Sequence, residues 1–181
     1  MKKVIFFSLV IFSLASCKDD ASTTKTDSKD STVAATDSIN YPYTIKNPDG
    51  WVPGDRQHTL NVLKSIKAFE TGNIDECVSY FADSVRLRFD ELDQKVSKDS
   101  LTAMFKRWRG ADKSVSIKMY DWESVKNKFS NEEYVSLWYD QAWEDNSGKK
   151  DSVSVMDDLK IEKGKIVELD EKTRKFPKKK P

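Results

Sequence analysis

The apolar residues of this chain change period partway along, and that change limits the fold more than any other feature. Val62, Leu63, Ile66 and Phe69 recur as one helical stripe. Ile74, Cys77, Val78 and Phe81 repeat it, and so do Leu101, Met104, Phe105 and Trp108. From Val115 onward the period is two. Val115, Ile117 and Met119 share one strand face, as do Val135, Leu137, Tyr139 and Trp143, and then Val153, Val155 and Leu159. One strand interrupts the helices. Val85, Leu87 and Phe89 alternate with Arg86, Arg88 and Asp90, and a shorter strand returns through 94–96.

Local punctuation agrees with this division. A first helix is predicted over 55–71, stopped by Gly72. Asn73 caps a second helix, with Glu76 completing a capping box. Ser97 opens the third, with Val96 and Leu101 placed as a hydrophobic staple, and Gly110 closes it. Asn146-Ser147-Gly148 and Lys163-Gly164 suit hairpin turns, and residues 166–170 supply a closing strand. Successive hairpins imply antiparallel pairing. The expected class is α+β: three N-terminal helices packed on an antiparallel sheet of about five to six strands.

The phrase Phe69-Glu70-Thr71-Gly72-Asn73-Ile74-Asp75, followed by Tyr80-Phe81-Ala82-Asp83-Ser84-Val85, joins with this element order to give a family resemblance. The chain resembles the NTF2-like (cystatin-like cone) superfamily, above all its SnoaL-like branch, over residues 54–175. The resemblance implies a curved sheet wrapped around the helices, with a pocket at the wide end of the cone. Ketosteroid isomerases in this superfamily use a carboxylate at the end of the first strand and a Tyr on the first helix. Those places fall near Phe89 and Ser65 here, so the isomerase set is missing. Asp90 is one residue away, which points it to the opposite face.

The strand faces each carry one polar residue among apolar ones. By parity Asp121, Gln141 and Asp157 point with the core. Asp121 and Asp157 are therefore weak candidates for acid–base catalysis; solvated strand ends are the simpler account of them. The expected pocket lining is Phe89, Met119, Tyr139, Gln141, Trp143 and Asp157. On the opposite faces, Tyr120 and Trp122 share parity, as do Tyr134, Trp138 and Asp140. Tyr120, Trp122 and Trp138 form a candidate homodimer interface. Alternatively Tyr41, Tyr43 and Trp51 cover that face from a proline-rich approach segment, 41–53.

The N-terminus speaks about location. Lys2 and Lys3 precede an apolar run, 4–14, shorter than the roughly 20 residues that span a bilayer. This pattern describes an export signal. Leu14-Ala15-Ser16-Cys17 resembles the lipobox of bacterial lipoproteins, which implies cleavage after residue 16 and a lipid on Cys17 that binds the membrane. Lys18-Asp19-Asp20 resembles the surface-export signal of Bacteroidetes-type lipoproteins, though a solvated linker reads the same. Together these imply a cell-envelope, outer-membrane lipoprotein. Residues 17–40 hold the lipidated Cys and a polar tether with almost nothing to bury. Residues 176–181 form a basic tail.

Composition excludes several classes. With 31 basic and 30 acidic residues, no strong field recruits nucleic acid. One His and two Cys cannot build a Cys/His zinc site, so no metal or cofactor is expected. Cys77 lies on an apolar helix face, where thiols are inert. His58, on the first turn of its helix, is expected to be solvated. The function expected is a lipid-anchored module that binds a small apolar ligand or a protein. The alternatives are a SnoaL-like enzyme acting on a polyketide- or steroid-like substrate, and a structural dimerising lipoprotein.

Overall fold

The computed structural model describes residues 40–45 and 49–177. The export signal, Cys17 and nearly all of the tether lie outside the described residues, as do the last four residues.

Three helices form where the stripes predict them. Helix α1 covers Arg56–Thr71. The Asp55 carboxylate accepts the Gln57 N–H at 2.7 Å, satisfying one orphan donor of the first turn. At the other end Gly72 takes φ 83°, and the Asn73 N–H donates to the Ala68 carbonyl at 2.8 Å. A left-handed residue there turns the chain at once into α2, Ile74–Ser79. Asn73 Oδ1 accepts the Glu76 N–H at 3.3 Å, and its Nδ2 donates to Glu76 Oε2 at 2.7 Å. This is the predicted box, closed side chain to side chain. Helix α3 covers Lys98–Gly110, with Ser97 Oγ accepting the Ser100 N–H.

The sheet has seven strands: β1 Trp51–Pro53, β2 Phe81–Phe89, β3 Leu92–Ser97, β4 Asp112–Asn127, β5 Glu133–Asp145, β6 Lys150–Glu162 and β7 Lys165–Lys175. Their order across the sheet is β1-β4-β5-β6-β7-β2-β3. Four expectations change here. Phe81 belongs to β2, not to the stripe of α2, because α2 stops at Ser79; the ring is buried all the same. The sheet is mixed rather than antiparallel, because β2 docks parallel to β7. The approach segment adds the seventh strand, with Trp51, Val52 and Pro53 paired to Asn127, Lys126 and Val125. An edge position tolerates that proline. Trp51 meets the Tyr134 ring edge-on at 6.1 Å, but Tyr41 and Tyr43 remain exposed and cover nothing.

The fourth change is a bulge in β4. Met119 pairs with Tyr139, and the next pair is Asp121 with Trp138. Two residues, Tyr120 and Asp121, thus oppose one. Every side chain beyond that point moves to the other face.

The core lies between the helices and the concave face. Val62, Leu101, Val85, Leu87, Val135, Leu137, Leu159 and Ile166 are each at most 1 % exposed. Burying each such side chain contributes about 1.5–3 kcal/mol.

Candidate functional site

The helices do not fill the concavity. Between α1, α3 and strands β2 to β7 lies a cavity of about 330 Å³, at the lower end of the roughly 300–1,000 Å³ usual for small-molecule sites. Its walls are largely aromatic: Phe69, Phe81, Phe89, Phe105 and Trp108. The rings interlock edge-on, Phe89 with Trp108 at 5.7 Å and Phe69 with Phe105 at 5.6 Å. Ser65, Asp112, Tyr139, Gln141, Asp157 and Glu171 are its polar members.

Asp157 is the most informative of these. It follows the alternation of β6, where Val155, Leu159 and Ile161 are also buried, and it is 1 % exposed. The Tyr139 hydroxyl donates to Asp157 Oδ2 at 2.8 Å. Asp157 Oδ1 is buried with no partner. Burial pushes this carboxyl well above the usual range, and the Glu171 charge adds to the push, while the Tyr139 hydrogen bond opposes it. The Tyr139 phenol is also driven up, first by burial and then by the Asp157 charge.

Glu171 faces Asp157 across the β6–β7 ladder. Register partners on one face have Cβ atoms about 5 Å apart. Glu171 is pushed up to about 7, first by burial and then by the charge of Asp90. Carboxyls on register partners titrate as a pair, and burial raises both of these. Phe89 continues the row, paired with Glu171 on the far side of β7. One line across three strands thus carries an aromatic ring and two carboxyls.

Four of the six expected lining residues, Phe89, Tyr139, Gln141 and Asp157, do line the cavity. Met119 packs against the core cluster instead. Trp143 lies further along β5, opposite Val115 and Asp151, past the cavity. The proposed pairing of Asp121 with Asp157 fails, because the bulge turns Asp121 to the face of Trp138, where it is exposed. The same bulge breaks up the aromatic patch. Tyr120 stays outward, its hydroxyl donating to Asp140, whereas Trp122 pairs with Leu137 on the core-facing side. Tyr120, Trp122 and Trp138 do not form one surface.

Ser65 and Phe89, the positions that lack the isomerase residues, both line the cavity. Cys77 lines it too, but is 2 % exposed, and burial pushes its thiol up to about 11. The Ser65 hydroxyl donates to the Cys77 carbonyl at 2.9 Å. A thiol held protonated is a poor nucleophile. His58 is not solvated as expected. Its Nδ1 lies 3.0 Å from Oε1 of the buried Glu133. Among the described residues no cluster of His, Cys, Asp and Glu suits a metal ion.

Glu171 was missed in the sequence because the closing strand was ended at Asp170, five residues short of its end at Lys175. The signal was present: Leu169 is apolar, and the residue two further on shares its face. Asp112 gave no signal, since it precedes the alternating run.

The fold and cavity define an α+β cone of the NTF2-like type, closed on its concave side by helices and open at a carboxylate-bearing pocket. Solved structures agree. An NTF2-like protein of unknown function from Exiguobacterium sp. 255-15 superposes with TM-score 0.52 at 15 % identity, over 64 % of this chain and 98 % of that one. An uncharacterised cystatin-fold protein from Novosphingobium aromaticivorans gives 0.53 at 13 %, over 64 % and 97 %. An epoxide hydrolase of the LEH-like type from Mycobacterium tuberculosis gives 0.54 at 10 %, over 65 % and 83 %. No family model matches the sequence, and no curated protein matches it.

Proposed function

We propose that this is a lipid-anchored cell-envelope protein whose cone binds a small, mainly apolar molecule by one polar end. One observation carries the reading: Asp157 Oδ1 is buried without a partner at the wall of an aromatic cavity. A buried polar atom left unpaired is costly, roughly 1–3 kcal/mol. A ligand that supplies its partner recovers that free energy on binding. Native mass spectrometry of the chain, purified gently from an envelope-type bacterial host, tests this. A retained small molecule that is absent from an Asp157→Leu variant supports it. A cavity that stays empty against a broad panel of small apolar molecules would sink it.

The envelope assignment rests on the lipobox-like residues 14–17 alone. It predicts that Cys17→Ser moves the protein from the membrane fraction to the soluble fraction. Display on the cell surface, proposed from residues 18–20, predicts loss of the protein when intact cells are treated with protease.

A second reading has its own support. Asp157 and Glu171 are adjacent, and Glu171 sits near 7, where a carboxyl can both give and take a proton. An enzyme of acid–base type would use this pair rather than Asp121 and Asp157. A fold neighbour that is an LEH-like epoxide hydrolase makes that chemistry worth assaying. Turnover of an epoxide or a polyketide-like substrate, lost in Asp157→Asn, would establish it.

A further inference from the structure

We infer that the cavity selects an organic cation: an amine on an apolar body, its positive end between Asp157 and Glu171 and its body against Phe89 and Trp108. The inference deepens the small-ligand reading above and rests on it.

Three lining residues are acidic, Asp112, Asp157 and Glu171, and the cavity wall has no Lys, Arg or His. The cations nearest the pair are turned away from it. Arg88 bonds Asp170 at 2.8 Å, and Lys172 lies 3.2 Å from Asp158 and 3.3 Å from Asp170. By register, Asp158 and Asp170 face each other across the same ladder one step from Asp157 and Glu171, so they stand on the opposite side of the sheet. The groups that bear on the pair from its own side are Tyr139 on β5 and Asp90 in the β2–β3 turn, one neutral and one acidic. Lys172 acts on Asp157 as the weakest of the groups around it, with its Nζ held by Asp158 and Asp170.

The aromatic walls supply the second half. Phe89 is the register neighbour of Glu171, and Trp108 meets Phe89 edge-on at 5.7 Å. A cation seated at Glu171 therefore lies about one strand spacing from an aromatic ring, close enough for a cation–π contact, which contributes about 0.5–2 kcal/mol. A bare metal ion is a poorer fit. Calcium takes six to eight oxygen ligands, whereas the lining's other polar members are Ser65, Asp112, Tyr139 and Gln141, and among the described residues no acidic cluster suits a metal ion. A neutral ligand could accept a proton-shared hydrogen bond from the pair. It would leave the charge of the ionised pair unbalanced, which an ammonium group cancels.

The mouth is consistent with cation entry. Asp90, Glu91 and Asp93 lie beside Glu171 in an outer depression that opens next to the cavity. Among the groups there, Arg88 and Lys172 are the cations, both already paired as above.

The test is a matched pair of probes, cyclohexylmethylamine and cyclohexylmethanol, titrated calorimetrically into the purified chain. They differ mainly in charge. At about pH 8 the amine should bind at least about tenfold tighter, the worth of roughly 1.4 kcal/mol. Near pH 5 Glu171 holds its proton, and the preference should fall to about twofold or less. Titrating the amine in two buffers of different ionisation enthalpy should show proton release near pH 6. Glu171→Gln should lower the amine-over-alcohol preference at pH 8 to about twofold or less; a preference kept at tenfold would overturn the assignment. If both probes bind equally at pH 8, the cation inference is wrong and the small-ligand reading stands. If neither binds at millimolar concentration, both fall.

Discussion

Glu133 and Asp157 are both carboxylates buried in the concave face of one sheet, at 4 % and 1 % exposure. Their surroundings differ in kind. Glu133 Oε1 accepts the Asp55 N–H at 2.9 Å and lies 3.0 Å from His58 Nδ1. It ties the start of β5 to the first turn of α1. The chain crowds there, since a Cβ on Gly54 would stand 2.0 Å from Ser124 Oγ and 3.2 Å from Glu133 Oε1. Asp157 has one partner, one empty oxygen and open volume before it. Burial alone does not mark a functional carboxylate. The number of partners does, because natural folds leave few buried polar atoms unpaired.

The largest expected effect lies at the tied carboxylate. Glu133→Ala strands the Asp55 N–H and the His58 ring together and should lower stability by about 3 kcal/mol, read as a fall in the urea midpoint at constant slope. A loss below about 1 kcal/mol would dissolve the contrast between the two sites. Next comes pH. The Glu171 carboxyl is raised from 4.5 to about 7, so between these values the folded chain keeps a proton that the unfolded chain has lost. The stability contributed by Glu171 is fullest below about 4.5, declines as pH rises toward 7 by roughly 3 kcal/mol, and levels off above. Asp157, also raised by burial, acts in the same direction. Urea melts from pH 4.5 to 8 check the slope, and Glu171→Gln should flatten most of it. A profile that rises across this window would contradict the burial of the pair.

A smaller effect of opposite sign follows at Asp157. Asp157→Asn keeps an acceptor for the Tyr139 hydroxyl but removes the ionisable group, and should stabilise the fold by about 1 kcal/mol at pH 8. The Glu133 site admits no such gain, and finding stabilisation at both would erase the distinction. Smallest of all is Asp121→Asn, which should change stability by less than about 0.5 kcal/mol and leave ligand binding unchanged. A loss of binding there would restore the residue that the bulge removes from the site.

Helix and strand boundaries were legible in the sequence wherever local chemistry sets them. Asp55, Gly72, Asn73 and Ser97 each act on neighbours a few residues away, and each does so in the structure. Features set by distant pairing were hidden. No periodicity announces the bulge at Tyr120–Asp121, because an extra residue in a strand looks like any other until its partner strand is laid beside it. The parallel docking of β2 on β7 joins segments some eighty residues apart, and it is what places Phe89 beside Glu171. Asp157 was legible because β6 is regular around it. The partner that makes it interesting was not.

That parallel contact also has a bearing on time. Phe89 is made early, while Glu171 lies in β7, the last of the described strands, some eighty residues later. Helices and hairpins can form as they emerge, but the row that crosses β2, β7 and β6 waits for β7. Non-local pairings of this kind are slow steps in folding. A chain cut short before β7 would leave the hydrogen-bonding edges of β2 and β6 unpaired and carry half of its carboxylate pair. Truncation before β7 therefore yields an adhesive fragment with an incomplete candidate site.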